Sequence, residues 1–333
     1  MKWLNELMKK KESLFRKYRY AIGLGVCTPF FAIYYIGLQR SIWLGDSAEF
    51  VTASYTLGIP HSTGYPIYTW LGKFFTLLPV GDIPFRVHLM SAVFAFLSLF
   101  LIFLIVWELL GARGHHYQAI ITGTLSVLLL GFFRPFWEHA EFAEVYTVNT
   151  FFVCLWGYLL LRWLNTKTYS YLYFASLVLG ASLGTHFSNV FLFPVFLIIT
   201  FLSGIREVKK YYYVALMFLL GVSQYVYLFF RAMQNAQYSS VQARFFGTIN
   251  SYGGPDVPVL KWLWFITGGQ WRGHYVDSVD KLISKFNGII TVISSHYGII
   301  GFVLLFMGVI SLLDLLRSNE RLNIFLVFGL MLF

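Results

Sequence analysis

The chain has 333 residues and a formal net charge of +10, with 58% hydrophobic, 20% aromatic and only 12% charged residues. Soluble globular domains carry about twice that charged fraction, so the composition excludes a soluble protein and indicates a polytopic membrane protein. The excess of cations does not indicate a nucleic-acid partner, because they flank apolar segments instead of forming one patch.

Apolar segments without Asp, Glu, Lys or Arg recur along the whole chain. A membrane-spanning helix needs about 20 apolar residues, so the longest segment must hold two helices with a turn near 185–189. We count about nine spans and expect one all-α domain over residues 1–333, in a natural chain that continues beyond residue 333. The segments are 20–39, 87–107, 118–133, 145–161, 168–205, 211–230, 286–313 and a last one from residue 322.

The distribution of Lys and Arg predicts the orientation. The amino-terminal tail and every second connection after it are basic, and basic loops stay in the cytoplasm, so the amino terminus is expected inside. The first outward loop, 40–86, is too apolar for a solvated loop and predicts one or two interfacial helices. The other outward segments are 134–144, a turn at 186–189, and a long loop at 231–285.

Asp46 and Glu49 lie just beyond the first apolar segment, in the run GDSAEF at 45–50. Their i, i+3 spacing places both carboxylates on one face of a helix, where they can share a proton, a metal or a cationic group. The same spacing fits helix capping, in which carboxylates accept free backbone N–H groups. Spacing alone leaves both interpretations open.

Three further acids, Glu138, Glu141 and Glu144, precede the fourth span. The helix dipole favours acids at a helix amino terminus, so an ordinary helix start also explains them. Glu144 is nearest to the apolar segment and is the costliest to hold charged without a partner. We expect at least one of these acids to converge with Asp46.

Three polar residues fall within or beside apolar spans. A lone His such as His186 is more commonly a hydrogen-bonded turn residue than a ligand. Asn189 fits a cap of the following helix. Arg231 ends the seventh span, where it suits lipid headgroups or, through its planar fork, a phosphate.

The block GDSAEFVTASYTLGIPHSTGYP at 45–66, with its continuation to Phe96, resembles the start of the domain-of-unknown-function 2723 family. This is a family of GT-C membrane glycosyltransferases that includes animal protein O-mannosyltransferases. Three later motifs keep the family order: EVY at 144–146, LGASLGTHFSN at 179–189 and YLFFRA at 227–232. The chain reads HSTGYP at 61–66, where a proline-richer HPPGYP is expected.

The resemblance implies a GT-C-type bundle that transfers a sugar, with mannose as the candidate, from a polyprenyl-phosphate carrier. The acceptor would be a hydroxyl of a protein or glycan on the non-cytoplasmic face, and transfer would invert the sugar carbon. An acidic residue of the family's first outward loop maps to Asp46, the expected base, with Glu49 as a second catalytic residue. The expected substrate-binding residues are His61, Tyr65, Glu144, Tyr146, His186 and Arg231, the last neutralising the leaving phosphate.

Two questions stay open at this point. A divalent metal, Mg or Mn, suits an oxygen-rich site, with Asp46 and Glu144 as candidate ligands. The alternative functions are a transporter or flippase of lipid-linked sugars and a structural subunit. Transporters place coupling groups near the bilayer midplane, whereas this chain concentrates its acids at one surface, which favours an enzyme. Compact loops favour a bacterial inner membrane, with membrane lipids around the bundle and the active site in the periplasm.

Overall fold

The computed structural model describes residues 2–111, 114–234, 236–239, 257–269, 278–295 and 298–299. Regular structure in these ranges is helical, and a single isolated bridge pairs Ile59 with Ser239. Residues 279–295 are also helical. The named helices are α1 (Lys2–Gly37), α2 (Ser47–Thr56), α3 (Pro66–Thr76), α4 (Ile83–Leu110), α5 (His116–Gly131), α6 (Arg134–Glu141), α7 (Val145–Thr166), α8 (Tyr169–Ser182), α9 (Leu192–Leu202), α10 (Val208–Val222), α11 (Tyr225–Met233) and α12 (Pro258–Ile266).

The chain is an all-α polytopic membrane protein, as the composition predicts. Four helices in the described ranges are long and apolar enough to cross a membrane: Lys17–Gly37, Ile83–Leu110, Val145–Thr166 and Val208–Met233. A fifth span is counted if α5 and α6, which meet at an angle of 67°, are taken as one bent span.

The expected count of about nine spans is not confirmed. The segment 168–205 does fold into two helices with a turn between them, but α8 and the apolar helix Phe187–Leu202 are both shorter than the usual spanning length. The turn lies where it was predicted, near 185–189, and a 3₁₀ segment, Phe187–Phe191, extends it by two residues into the second predicted span. The two last predicted spans, 286–313 and from 322, lie largely or wholly outside the described residues.

The first connecting segment contains two helices, α2 and α3, as predicted. Proline opens α3 at Pro66, and Asp82 caps α4 by accepting a 3.0 Å hydrogen bond from the backbone N–H of Phe85. Proline fits the first turn of a helix because its missing N–H would have no partner there. With these helix boundaries, α2 and α3 lie at the end of the bundle where α4 and α7 begin. We call this end the site end.

Helix α4 is the centre of the bundle and packs against α1, α5 and α7. Its buried apolar side chains, such as Leu99 and Phe103, join one core with α1, while Trp156 and Trp163 of α7 fill a second. Burial of large apolar side chains fixes the relative positions of α4 and α7. Both helices run from the site end to the opposite end.

Helices α8 and α10 cross at two glycines, Gly180 and Gly221. A Cβ on Gly180 would lie 2.3 Å from the carbonyl oxygen of Phe218, and one on Gly221 would lie 2.4 Å from that of Leu177. Small residues permit such close approach of two membrane helices. The side-chain amide of Gln224 reaches across the crossing and donates to the carbonyl of Ala181 at 2.8 Å.

Candidate active site

A cavity of about 430 Å³ opens at the site end of the bundle. It collects side chains from the start of α2, the 61–65 loop, the start of α7 and the turn before α9. Six of the eight residues predicted from the sequence line it. They are Asp46, His61, Tyr65, Glu144, Tyr146 and His186.

Asp46 occupies the N-cap position of α2, but its side chain makes no capping hydrogen bond. The capping interpretation is therefore wrong for its carboxylate. The side chain is 58% exposed, and Oδ2 lies 3.8 Å from Nε2 of His61. A carboxylate at the start of a helix that accepts no hydrogen bond from the backbone can accept one from a substrate hydroxyl.

Glu49 does not line the cavity but points to His61, one turn along α2. Its Oε2 lies 2.6 Å from Nδ1 of His61, and its Oε1 accepts from the backbone N–H of His61 at 2.9 Å. The hydroxyl of Tyr238 donates a third hydrogen bond to Oε1 at 2.9 Å. Glu49 thus fixes the imidazole orientation and leaves Nε2 facing Asp46 and the cavity.

The electrostatics of Glu49 and His61 are those of an ion pair. Burial raises the pKa of Glu49, but its hydrogen bond to His61 and the charge of the ring outweigh this, so the net shift is downward. Burial lowers the pKa of His61, but the hydrogen bond and charge of Glu49, with a smaller contribution from Asp46, raise it overall. Both shifts favour imidazolium and carboxylate together. The shift in the pKa of His61 thus favours a positive charge on the ring beside Asp46.

The loop between His61 and α3 depends on a glycine. Gly64 has φ +88°, and a Cβ there would lie 2.5 Å from a methyl carbon of Leu228. Tyr65 follows at φ 41°, a left-handed conformation that is costly for a residue with a side chain. This turn packs the Tyr65 ring against Phe50 and brings its hydroxyl within 3.3 Å of Nε2 of His61. Burial raises the pKa of Tyr65, so its hydroxyl stays protonated.

Glu144 is the N-cap residue of α7 and makes no side-chain capping bond there. Burial, together with the negative charge of Asp46, raises its pKa to about 7. Glu144 and Asp46 therefore come together at the cavity, as the sequence predicted for at least one of the three acids. Glu138 instead pairs with Arg134 at 2.7 Å on the surface, and Glu141 accepts from the indole N–H of Trp137 at 2.6 Å.

His186 is both a turn residue and a cavity residue. Its Nδ1 lies 2.7 Å from the hydroxyl of Ser188 and accepts from the backbone N–H of that residue, so it caps the 3₁₀ segment. The predicted cap, Asn189, instead donates to the side-chain oxygen of Asn149 on α7 at 2.7 Å. Burial lowers the pKa of His186, so its ring is neutral. Tyr146 lies beside it, with ring centroids 6.2 Å apart.

A residue that the sequence did not single out, His88 of α4, ties the two acidic loops together. Its Nδ1 accepts from the backbone N–H of Ala143 at 2.7 Å, and its Nε2 lies 3.1 Å from the carbonyl oxygen of Ser41. Accepting at Nδ1 and donating at Nε2 requires the neutral ring. In the sequence, His88 is a lone His in the apolar segment 87–107. It forms no spaced pattern with other polar residues that would have singled it out.

Arg231 does not line the cavity. Its guanidinium donates to the carbonyl oxygens of Leu57 at 2.8 Å and Thr56 at 3.0 Å, at the carboxyl end of α2. Tyr227 donates to the same Leu57 oxygen at 2.7 Å. Cations are favoured at the end of a helix where carbonyls lack partners. The position suits a residue that holds α2 in place, and the expected contact of Arg231 with a leaving phosphate stays a prediction.

A metal has one candidate set among the described residues: Asp46, Glu49 and His61, whose ligand atoms lie within 4.8 Å of one another. The set differs from the expected pair of Asp46 and Glu144. Two carboxylates and an imidazole suit Mn better than Mg, which prefers oxygen ligands. A metal bound there would have to displace the proton between Glu49 and His61.

The fold and the cavity define a membrane protein with an acidic pocket at one end of its helix bundle. Residues 46–210 match the family model described as the Protein O-mannosyl-transferase TMEM260 N-terminal domain. This range contains six of the cavity residues predicted from the sequence. The match supports an O-mannosyltransferase-like family.

Two curated relatives agree with that match. The chain is 34% identical over 125 residues to mouse (Mus musculus) Protein O-mannosyl-transferase TMEM260, which is 37% of this chain and 17% of the mouse protein. It is 26% identical over 126 residues to Protein O-mannosyl-transferase tmem260 of Dictyostelium discoideum, which is 37% of this chain and 14% of that protein. The similarity thus spans a small part of each relative. No solved structure matches the chain significantly.

Proposed function

We propose that this chain is a membrane glycosyltransferase that moves mannose from a polyprenyl-phosphate carrier to an acceptor hydroxyl, in the manner of a GT-C enzyme. The observation that carries the proposal is the convergence of Asp46, His61 and Glu144 on one cavity within the region similar to the O-mannosyl-transferases. The cavity is large enough for a sugar and is bounded by rings and hydrogen-bonding groups. Such a pocket suits a polar ligand that also offers apolar faces.

Asp46 is the proposed base. The acceptor hydroxyl gives its proton to Asp46 as its oxygen forms a bond to the sugar carbon C1, and the bond from C1 to the carrier phosphate breaks on the opposite face. Polyprenyl phosphate leaves, and the configuration at C1 inverts. Asp46 is exposed and free of capping contacts, so its carboxylate can reach a hydroxyl in the cavity.

The leaving phosphate needs positive charge or hydrogen-bond donors. Nε2 of His61 lies 3.8 Å from Oδ2 of Asp46, on the side of the proposed base, so His61 is proposed to orient the Asp46 carboxylate and not to contact the leaving phosphate. Neutral Glu144, with a pKa of about 7, can donate a hydrogen bond to the sugar or phosphate. Tyr65, Tyr146 and His186 are proposed to bind the sugar. Glu49 acts through His61 as a positioning residue.

The test is transfer by the purified chain in liposomes, given labelled mannose on polyprenyl phosphate and peptides rich in Ser and Thr. We expect labelled peptide from the wild type and from Glu138→Gln, a control whose acid lies on the surface. Asp46→Asn should make none. Labelled donor that crosses the liposome membrane without any transfer would overturn the proposal in favour of a transporter. Supply of other lipid-linked sugars in the same assay identifies the sugar.

The bundle is proposed to face its cavity away from the cytoplasm, because the basic segments of the sequence mark the opposite end as inside. A cysteine introduced at exposed Tyr55, near the carboxyl end of α2, should react with an impermeant maleimide in intact cells. A cysteine at exposed Lys167 should react only after permeabilisation.

A further inference from the structure

A second cavity, of about 390 Å³, lies where α4 and α7 end and α5 begins. Its lining combines charged and polar side chains from four helices. They include Arg19, Trp107, Glu108, His116, Arg162 and Asn165. We call it the distal cavity.

The distal cavity is a full membrane thickness away from the candidate active site. With a rise of 1.5 Å per residue, Arg162 lies about 27 Å from Glu144 along α7. The hydrocarbon core of a bilayer is about 30 Å thick. The two cavities therefore lie at opposite surfaces of the membrane and cannot share one substrate group.

The charge of the distal cavity favours an anion. Glu108 is its carboxylate, buried at 5% exposure, and it already accepts from Arg162 at 3.0 Å and from the amide of Asn165 at 3.1 Å. Arg19 adds a second guanidinium to the lining. The lining thus holds two guanidinium groups and one carboxylate, a formal net charge of +1, and Nη2 of Arg19 also donates to the hydroxyl of Tyr20 at 2.9 Å.

The hydrogen-bonding of the lining is incomplete among the described residues. Nε of Arg162 and Nδ1 of His116 are buried without a partner there. An unpaired buried polar group is unfavourable, and after a small side-chain movement an oxygen-rich ligand would accept hydrogen bonds from these nitrogens. The ring of Trp107 stacks on the imidazole of His116, with 5.2 Å between the ring centroids and an interplanar angle of 2°, and fixes the orientation of the imidazole.

We propose that the distal cavity binds a phosphate group at the membrane surface opposite the candidate active site. Guanidinium groups form charge-assisted hydrogen bonds with phosphate oxygens, for which Nε of Arg162 is the donor without a partner, and basic pockets between membrane helices bind lipid headgroups. A cavity at the end of a spanning bundle, lined by Arg19 from one helix and Arg162 from another, is open to such a headgroup. The phosphate belongs to an anionic lipid or to a soluble phosphate compound, and the experiment separates these sources.

The experiment measures binding of three probes to the purified chain in detergent by calorimetry. The probes are dioctanoyl phosphatidylglycerol, dioctanoyl phosphatidylcholine and inorganic phosphate. The variant is Arg19→Gln with His116→Gln, which leaves the pair of Glu108 and Arg162 intact. The control is Lys167→Gln, which removes one cation at the same end of the bundle without touching the cavity.

We expect phosphatidylglycerol to bind at least tenfold more tightly than phosphatidylcholine, and the double variant to lose this preference while the control keeps it. Competition by inorganic phosphate would assign the site to a soluble phosphate compound, and its absence to a lipid. Equal binding of both lipids without any phosphate binding would overturn the proposal. So would unchanged phosphatidylglycerol and phosphate affinities in a folded double variant.

Discussion

Glu49 holds His61 through both of its carboxylate oxygens, with 2.6 Å between Oε2 and Nδ1 and 2.9 Å between Oε1 and the backbone nitrogen. Helix α2 thereby fixes the position of the 61–65 loop, and Nε2 of His61 faces Asp46. The pair makes α2 and the 61–65 loop one unit of the site.

Glu49→Gln should lower transfer at neutral pH by about tenfold or more, since the pKa of His61 falls and its cation is lost. Stability should fall by about 1–3 kcal/mol, the usual effect of removing a hydrogen bond to a charged group. The pair stabilises the fold above the ordinary pKa of Glu and below that of His. This stabilisation is lost as the pH falls through the lowered pKa of Glu49 or rises through the raised pKa of His61.

Thermal unfolding and transfer rates measured from pH 5 to pH 9 check this expectation. Glu138→Gln is the matched control, because its partner Arg134 is a surface group. An identical pH profile for Glu49→Gln and the wild type would contradict the ion pair.

Asp46→Asn should lower kcat by about 10²- to 10⁴-fold, the usual effect of losing a general base. Asp46→Ala should be equally inactive and as stable as the wild type, because no capping hydrogen bond is lost. A capping role would instead cost the Ala variant about 0.5–2 kcal/mol and leave the Asn variant active. Unfolding temperatures and single-turnover transfer rates distinguish the two roles.

The transfer rate should fall as the pH rises through about 7, because Glu144 loses its proton there. Its pKa is raised to about 7, so the neutral carboxyl that donates a hydrogen bond is lost as the pH rises through that value. Glu144→Gln keeps a neutral donor and should flatten this pH dependence. Asp46→Asn should lower the pKa of Glu144, because a nearby negative charge is removed.

The same shift has a consequence for stability. A raised carboxyl pKa means that the folded state loses stability as the pH rises from the ordinary value of 4.5 to about 7. Glu144→Gln should therefore unfold at a higher temperature than the wild type at pH 8, and the difference should shrink as the pH falls to 5. A constant difference across this range would show that Glu144 does not titrate there.

Arg231→Lys tests whether this residue holds α2 or binds phosphate. Lysine keeps the charge but cannot donate to two carbonyls through a planar fork. We expect a loss of about 1–3 kcal/mol in stability with an unchanged KM for the donor. A higher KM for the donor at unchanged stability, larger for Arg231→Gln than for Arg231→Lys, would support the phosphate role.

Removal of divalent ions by EDTA distinguishes two roles for Glu49 and His61, and an unchanged transfer rate would support the one in which they pair with each other. Measured rates with added Mn²⁺ complete the test. Loss of activity with EDTA and recovery with Mn²⁺, but not in His61→Ala, would instead assign an ion to Asp46, Glu49 and His61.

The sequence predicted the class of fold and six of the sixteen residues that line the cavity, and the fold class and the acids among these residues depend on local patterns. Apolar length predicts spans, and acids beside a span predict a polar surface site. Asp46 and Glu144 were found in this way, and so was the pair of helices α2 and α3.

Long-range contacts account for what the sequence did not predict. Tyr238 donates to Glu49 from a part of the chain that shows no periodic pattern, and the two residues meet only through the tertiary fold. Arg231 is a residue type that suits a phosphate, but its hydrogen-bond partners are the carbonyls at the carboxyl end of α2. Backbone acceptors cannot be identified from a sequence pattern. The partner of a buried cation is a property of the packed bundle.

The crossing of α8 and α10 has room only for hydrogen atoms at Gly180 and Gly221. A methyl group at either position would meet main chain, which cannot rotate away, so the two helices would move apart. Helix α10 leads into α11, whose Tyr227 and Arg231 donate hydrogen bonds to the carbonyl oxygen of Leu57 at the carboxyl end of α2. Asp46 lies at the amino end of the same helix. We therefore expect Gly180 and Gly221, which lie outside the cavity lining, to affect the position of α2 through α11.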